Sequence, residues 1–183
     1  MKDKTFETKF RRRREGKTNY KTRLGLVKSK RTRIVVRKTG TSIIAQAINY
    51  KPEGDVTTAN AISKELDKLG FYGTNNTPSA YLTGYLLGKR MSEKSAILDI
   101  GMQHPSHGSV IFACLQGVID AGVEIAHNKS AIPSEDRMNA TVLETYAKEH
   151  PEKFSVYEKK GIKVDAIVKA FEKTKAEIDK VKQ

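Results

Sequence analysis

The stretch "RIVVRKTGTSIIAQAI", residues 33–48, decides the fold class. Two runs rich in β-branched residues, 33–38 and 42–48, flank the tripeptide "TGT", in which Gly40 is suited to the positive φ of a tight connection. This arrangement predicts an antiparallel hairpin, and therefore a fold that contains a sheet.

Basic residues bracket the first run, and aliphatic residues fill its centre. Because successive side chains of a strand point to opposite faces, the odd-numbered Arg33 and Arg37 should share one face with Arg31, and Ile34 and Val36 should share the other. The sheet is therefore expected to have one polar face suited to phosphate and one buried face.

Downstream of the hairpin the predicted elements alternate between helix and strand. Helical spacing of apolar residues predicts a helix over 56–69, capped by Asp55 or Thr57 and ended by Gly70. A second helix is expected from Thr77, its N-cap, with Pro78 at the first helical position. The remaining core elements are a buried strand at 95–102, a helix at 110–122 closed by Gly122, and a short edge strand at 123–127.

Two further helices are predicted near the C-terminus. The first covers 138–150, with Val142, Leu143 and Tyr146 as its inward face, and Pro151 ends it. The last helix follows Gly161 and docks through one stripe, formed by Val164, Ile167, Val168 and Phe171. This order of elements predicts the α/β class: one mixed-sheet α/β sandwich domain with a basic, extended N-terminal arm and a C-terminal surface helix.

The positive charge of the chain is concentrated at its N-terminus. The formal net charge is +13; residues 1–40 hold 16 Lys and Arg against 3 Asp and Glu, and the rest of the chain is balanced at 18 against 18. We therefore divide the chain into a basic RNA-binding arm (1–31), an α/β core domain (32–150) and a C-terminal extension with a surface helix (151–183). A neutral body with a basic arm is typical of a protein that binds nucleic acid.

The arm has features that favour RNA over other polyanions. In "FRRRREGKTNYKTRL", residues 10–24, each arginine offers a planar set of donors that matches phosphate oxygens. Phe10 and Tyr20 lie among the charges, where they can stack on unpaired bases or anchor the arm to the body. A short helix in this region would point Leu24 and Val27 toward the body. The arm is expected to become ordered on its partner.

Catalytic chemistry has less support in the sequence. The chain has no GxGxxG or GxxxxGK[ST] phosphate-binding motif. His104 and His107 fit turn positions better than metal ligands. Asp99, Asp120 and Glu124 could converge on a divalent ion, which leaves a metal-dependent nucleic-acid-processing enzyme of nuclease-like α/β fold as the alternative function. A third reading is an adaptor for acidic proteins or membrane surfaces that uses the arm alone.

The preferred interpretation is a binding protein that is not an enzyme, with no catalytic residue, no cofactor and no metal. The one cysteine, Cys114, lies in an apolar run and is expected to be buried. No apolar run approaches the ~20 residues of a membrane span, and the charged N-terminus does not fit a signal peptide, so a cytoplasmic location without membrane contact is expected.

Three long motifs resemble a known family. They are "RRRREGKTNYKTRLGLVKSKRTRIVVRKTGTSIIAQ", "NNTPSAYLTGYLLGKR" and "LDIGMQHPSHGSVIFACLQGVIDAGVEIAH". Together they closely resemble the archaeal and eukaryotic form of the large-subunit ribosomal protein of class eighteen, whose eukaryotic counterpart carries the number five. The similarity runs over residues 10–147, and the compact C-terminal region resembles the archaeal version.

The resemblance implies a function and a set of contacts. Members bind 5S rRNA through the basic arm and the adjoining sheet face, sit in the central protuberance of the large ribosomal subunit, and are not enzymes. Their partners are 5S rRNA, large-subunit rRNA, the ribosomal protein of class five and the eukaryote-type protein of class twenty-one. By position, the resemblance implies RNA contacts by Arg11, Arg12, Arg13, Arg14, Lys17, Thr18, Asn19, Tyr20, Arg23, Arg31 and Arg33. Asn19 stands where many members are expected to have Asp.

Overall fold

The computed structural model describes residues 7–180 and contains a five-stranded mixed sheet. Its strands are β1 (Thr32–Lys38), β2 (Ile43–Asn49), β3 (Val56–Ile62), β4 (Ser95–Asp99) and β5 (Glu124–Ile125), in the spatial order β3-β2-β1-β4-β5. β1–β2 and β2–β3 pair antiparallel, and β1–β4 and β4–β5 pair parallel. The predicted α/β class and mixed sheet are confirmed.

The hairpin forms as predicted, but its turn does not depend on a left-handed glycine. β1 pairs with β2 from Arg33 opposite Ile48 to Lys38 opposite Ile43. Thr39 N–H donates to the Ser42 carbonyl at 2.8 Å, and the Thr39 hydroxyl also bonds to Ser42, while Gly40 does not have a positive φ. One backbone hydrogen bond, together with those of the Thr39 hydroxyl, therefore closes the connection.

The predicted helix over 56–69 is wrong in its first half. Val56–Ile62 is an edge strand that pairs with β2, and a 3₁₀ helix occupies only Ser63–Leu69. Asp55 therefore caps no helix. Gly70 does end the 3₁₀ helix, with φ of +94°. β3 is mostly exposed, so its sequence lacks the alternation of apolar and polar residues that identifies a half-buried strand.

Two helices cover one face of the sheet and cross each other at glycines. They are α3 (Thr77–Arg90) and α4 (Val110–Asp120). A Cβ on Gly84 would lie 1.9 Å from the Cys114 carbonyl oxygen, and a Cβ on Gly117 would lie 2.1 Å from that of Tyr81. The backbones therefore approach more closely than any side chain allows.

The starts and ends of these elements shift slightly from their predicted positions. The N-cap of α3 is Asn76 rather than Thr77, because the Asn76 side-chain oxygen accepts from Ser79 N–H at 2.9 Å. Pro78 consequently lies at the second helical position rather than the first, still within the first turn. β4 ends at Asp99, and α4 ends at Asp120, before Gly122 with φ of +103°.

The core lies between the sheet and α3 and α4. The inward side of β1 and β2 contributes Ile34, Val36, Ile43, Ala45 and Ala47, all 0–1% exposed. Cys114 of α4 is fully buried, as predicted, and burial raises the pKa of its thiol to about 12.

The C-terminal region adds helices that pack on α3 and on one another. They are α5 (Glu135–Met138), α6 (Thr141–Glu149), α7 (Ser155–Lys159) and α8 (Ile167–Lys180), with 3₁₀ turns at Lys129–Ala131, Pro151–Phe154 and Val164–Ala166. α8 docks on the body through Phe171 and Ile178, and the Phe171 ring packs edge-on against Phe71 at 6.1 Å. None of the described helices is long and apolar enough to cross a membrane.

The inward face predicted for α6 is wrong at two of three positions. Leu143 packs on the core, and Ala147 of the same stripe is fully buried. Val142 and Tyr146 instead point outward, with 50% and 41% of their surface exposed. The helix is rotated so that its smaller apolar stripe faces the body.

Candidate nucleic-acid interface

The described part of the arm lies over the sheet face that α3 and α4 leave free. It contains two short helices, α1 (Arg11–Arg14) and α2 (Tyr20–Lys28). Residues of both the arm and the outer side of β1 line one cavity of about 530 Å³, to which the sheet contributes Arg33, Val35 and Arg37. The arm therefore forms a second layer on the polar face of the sheet.

Side-chain hydrogen bonds fix the path between the two arm helices. Asn19 begins α2, because its side-chain oxygen accepts from Lys21 N–H at 3.1 Å and from Thr22 N–H at 3.3 Å. Arg12 Nε donates to the Thr18 hydroxyl at 2.9 Å, and the Arg12 carbonyl accepts from Lys17 N–H at 2.9 Å. These bonds connect the two arm helices through one closed loop.

Phe10 and Tyr20, two aromatic residues of the arm, contact each other. The rings of Phe10 and Tyr20 lie 5.2 Å apart between centroids, at 50°. Tyr20 is half-buried at the start of α2, whereas Phe10 is 72% exposed. The outer side of this pair is accessible to an unpaired base.

A chain of alternating charges connects α2 to the sheet. One Asp55 oxygen, Oδ2, accepts from Arg23 Nη2 at 2.9 Å and from Arg33 Nη2 at 2.7 Å. Arg33 Nη1 lies 3.3 Å from Asp99 Oδ2, and Arg37 Nη2 lies 3.1 Å from Asp99 Oδ1. We call these five residues, Arg23, Asp55, Arg33, Asp99 and Arg37, the charge ladder.

The charge ladder perturbs the titration of one of its carboxylates. Burial raises the pKa of Asp55, but the hydrogen bonds and positive charges of Arg33 and Arg23 outweigh burial and hold that pKa below its ordinary value. Asp55 is thus stabilised in its charged form. Asp55, which directly precedes β3, therefore links Arg23 of α2 to Arg33 of β1.

The predicted RNA-contact residues fall into two groups in the structure. The exposed group comprises Arg11, Arg12, Arg13, Arg14, Lys17, Asn19 and Arg31. Thr18, Tyr20 and Arg23 are half-buried, and Arg33 is 2% exposed. Glu15 pairs with Arg11 at 3.6 Å and Lys17 at 3.0 Å. Within residues 7–180, Arg13 and Arg14 are not part of any ion pair.

The burial of Arg33 and the exposure of Leu24 depend on how α2 docks. The same-face prediction for Arg33 and Arg37 agrees with their shared contact with Asp99, but α2 and the ladder enclose Arg33. The inward orientation predicted for Leu24 is wrong, since Leu24 is 55% exposed. Leu26 and Val27 are the half-buried apolar residues of α2.

Sequence reasoning missed Asp55 as part of this interface. It had interpreted that residue as a helix cap, whereas Asp55 binds Arg23 and Arg33. The available signal was its position directly after the hairpin, where an acidic side chain can return to the basic face of β1. That signal is not specific without knowledge of the docked helix.

The carboxylates proposed for a metal site have other partners. Asp99 binds Arg33, Arg37 and Gly101 N–H, while Asp120 accepts from the Tyr81 hydroxyl at 2.7 Å. Glu124 is exposed on the edge strand. Within residues 7–180, no three His, Cys, Asp or Glu side chains are grouped so as to hold a metal ion. The nuclease-like alternative therefore has no support from this geometry.

Comparison with known proteins decides the family. Residues 4–97, which include the arm and the hairpin, match the family described as "Ribosomal large subunit proteins 60S L5, and 50S L18". The chain is 42% identical to "Large ribosomal subunit protein uL18" of Methanobrevibacter smithii over an alignment 187 residues long, gaps included, and 97% of each chain is covered. The chain belongs to the 60S L5 and 50S L18 family.

Other members of the L5/L18 family show the same extent of similarity. The protein of the same name from Korarchaeum cryptofilum is 45% identical over 177 residues, with 91% of each chain covered. The protein from Methanothermobacter thermautotrophicus is 41% identical over 183 residues, with 95% of each chain covered. The chain is therefore a ribosomal protein of the large subunit, which is a structural and not an enzymatic role. It belongs in cytoplasmic ribosomes, where its partners are rRNA and other ribosomal proteins.

Proposed function

We propose that this L5/L18 family member binds 5S rRNA and helps to anchor it in the central protuberance of the large subunit. The observation that carries the proposal is the exposed basic arm, held in a defined shape on one face of an otherwise neutral body. Large-subunit rRNA, the ribosomal protein of class five and the eukaryote-type protein of class twenty-one are its proposed neighbours.

In this proposal the exposed arginines of the arm contact phosphates. Arg13 and Arg14 are the best placed, because no carboxylate within residues 7–180 neutralises them. Arg11, Arg12 and Lys17 lie beside them, and Arg31 extends the basic surface toward β1. Phe10 offers its exposed ring to a base.

The remaining candidates act through the shape of the arm. Thr18 and Asn19 use their side-chain oxygens within the arm, to accept from Arg12 and to cap α2. Arg23 and Arg33 hold α2 on the sheet through Asp55. Such a preordered arm loses less conformational entropy on binding than a disordered segment would.

The test is the salt dependence of 5S rRNA binding by a double variant, Arg13→Gln with Arg14→Gln. Each lost phosphate contact should reduce the slope of log K against log salt by roughly 0.7–0.9, so the double variant should lose about 1.4–1.8. The matched control, Lys159→Gln with Lys173→Gln, removes the same charge from exposed sites in α7 and α8.

Filter binding at several salt concentrations measures both slopes. The proposal requires an unchanged slope for the control pair. Equal losses in both double variants would mean that net charge alone drives binding, and would remove the arm from its assigned role.

A further inference from the structure

One apolar stripe of α6 is left uncovered by the body. Val142, Thr145, Tyr146 and Glu149 follow each other at helical spacing on the same side of the helix. With Thr141 and Asp136 they line a shallow depression of about 380 Å³. We call these six residues the α6 patch.

The α6 patch is apolar at its centre and acidic at its rim. Val142 and Tyr146 are 50% and 41% exposed, although a residue of either kind gains by burial. Asp136 and Glu149 are both exposed, and within the described residues neither takes part in an ion pair. Lys153 is the cation that touches the patch, through the Tyr146 hydroxyl at 2.6 Å.

The body contacts this stripe at one side of Tyr146, whose ring lies 6.2 Å from the Phe154 ring between centroids. α6 docks mainly through Leu143 and Ala147, and Glu144 accepts from Val168 N–H at 2.9 Å at the start of α8. Val142 and the exposed part of Tyr146 therefore lie outside this packing. Exposed aromatic and aliphatic residues rimmed by charge are typical of protein interaction sites.

We propose that the α6 patch docks a basic segment of a neighbouring large-subunit protein, with one apolar side chain of that segment seated between Val142 and Tyr146. Two unpaired carboxylates disfavour RNA phosphate and favour Lys or Arg at the rim. Other proteins lie beside this chain in the large subunit, because the chain belongs to a large-subunit ribosomal protein family. The proposal rests on that membership and not on 5S rRNA binding.

A cross-linking experiment tests the proposal within assembled subunits. Thr145→Cys places a thiol in the patch, and the native Cys114 is fully buried and does not compete for the label. The variant is labelled with a benzophenone maleimide and incorporated into salt-stripped large subunits. After irradiation, mass spectrometry identifies the linked peptides. Thr141→Cys, at the rim, is a second attachment site if the label at 145 prevents incorporation.

The expected product is a cross-link to one ribosomal protein, within a segment of net positive charge. Adding Asp136→Lys and Glu149→Lys should reduce its yield at least fivefold. The matched pair Glu158→Lys and Glu172→Lys makes the same charge change at exposed sites outside the patch and should leave the yield unchanged.

Several outcomes would overturn the proposal. They are cross-links to rRNA, to a second copy of the chain or to an acidic segment, no cross-link from either cysteine, or equal effects of the two charge reversals. Binding of 5S rRNA by the isolated Thr145→Cys protein is measured in parallel. Its loss would count against the proposed function, and its retention with a failed cross-link would count against the α6 patch alone.

Discussion

Replacement of Asp55 by Asn tests whether the charge ladder holds the arm on the body. The substitution keeps the shape of the side chain but removes the charge that faces Arg23 at 2.9 Å and Arg33 at 2.7 Å. Arg33 is 2% exposed, so its guanidinium has no water to replace the lost partner. Arg23 is about one-third exposed and can turn to solvent.

The expected loss of stability follows from these two environments. A hydrogen bond to a charged group contributes about 1.5–3 kcal/mol, which applies to buried Arg33. A partly exposed ion pair such as that of Arg23 contributes about 0–1 kcal/mol. The asparagine oxygen still accepts one hydrogen bond, so we expect a net loss of about 2–3 kcal/mol. For a chain of this length that corresponds to a melting temperature lower by about 4–12 °C.

The pH dependence of the loss identifies its cause. The pKa of Asp55 is lowered in the folded state, so its contribution is present above the ordinary pKa of 3.8 and is lost as pH falls through the folded-state value. The stability gap between wild type and Asp55→Asn should therefore be largest near pH 7 and should narrow as pH falls below about 4.

Thermal unfolding followed by circular dichroism at several pH values measures the gap, and hydrogen exchange of the α2 amides should accelerate in the variant. Glu53→Gln, an exposed change of the same kind in the same loop, is the control. If the Asp55→Asn and Glu53→Gln variants have the same melting temperature at every pH, the charge ladder does not hold the arm and the reasoning is refuted.

Two further substitutions test local features of the fold. Gly84→Ala places a Cβ 1.9 Å from the Cys114 carbonyl oxygen, so the free energy of unfolding measured in urea should fall by at least about 3 kcal/mol. At Gly25 of α2 a Cβ meets nothing within 4 Å, so Gly25→Ala should raise the free energy of unfolding by up to about 1 kcal/mol. A Gly84→Ala protein as stable as the wild type would contradict the close helix crossing. Asn19→Ala removes the cap of α2 and should lower the free energy of local opening of α2, measured by hydrogen exchange, by about 1 kcal/mol. Asn19→Asp keeps a capping oxygen and should keep the α2 amides protected from exchange. Equal exchange rates in the two variants would count against the cap.

The parts of the fold that sequence predicted correctly are those in which local pattern and burial agree. The hairpin has β-branched runs whose inward side chains are buried, and the core helices at 77–90 and 110–120 have strong apolar content and clear ends. β3 failed because Val56, Ala59 and Ile62 have helical spacing by chance, and the strand is exposed at the sheet edge. Pairing with β2, which is a non-local interaction, decided its conformation.

The candidate site was predictable in composition but not in three dimensions. Charge counting located the arm, and strand alternation placed Arg33 and Arg37 on the same face. Burial of Arg33 requires that α2 cover that face, that Asp55 approach from the loop before β3, and that Asp99 lie at the end of the neighbouring strand β4. No local pattern encodes these contacts. Similarly, α6 has two apolar stripes, and only packing decides which of them faces the core.

The central claim is that arm and body together recognise 5S rRNA. The most direct measurement is a filter-binding titration of the purified protein with 5S rRNA, with transfer RNA as competitor, repeated across salt concentrations. The account predicts a preference for 5S rRNA that persists at elevated salt, because shape and fixed arginine positions add to the charge term. Equal binding of the two RNAs that disappears with salt would contradict it, since the arginines would then supply charge alone.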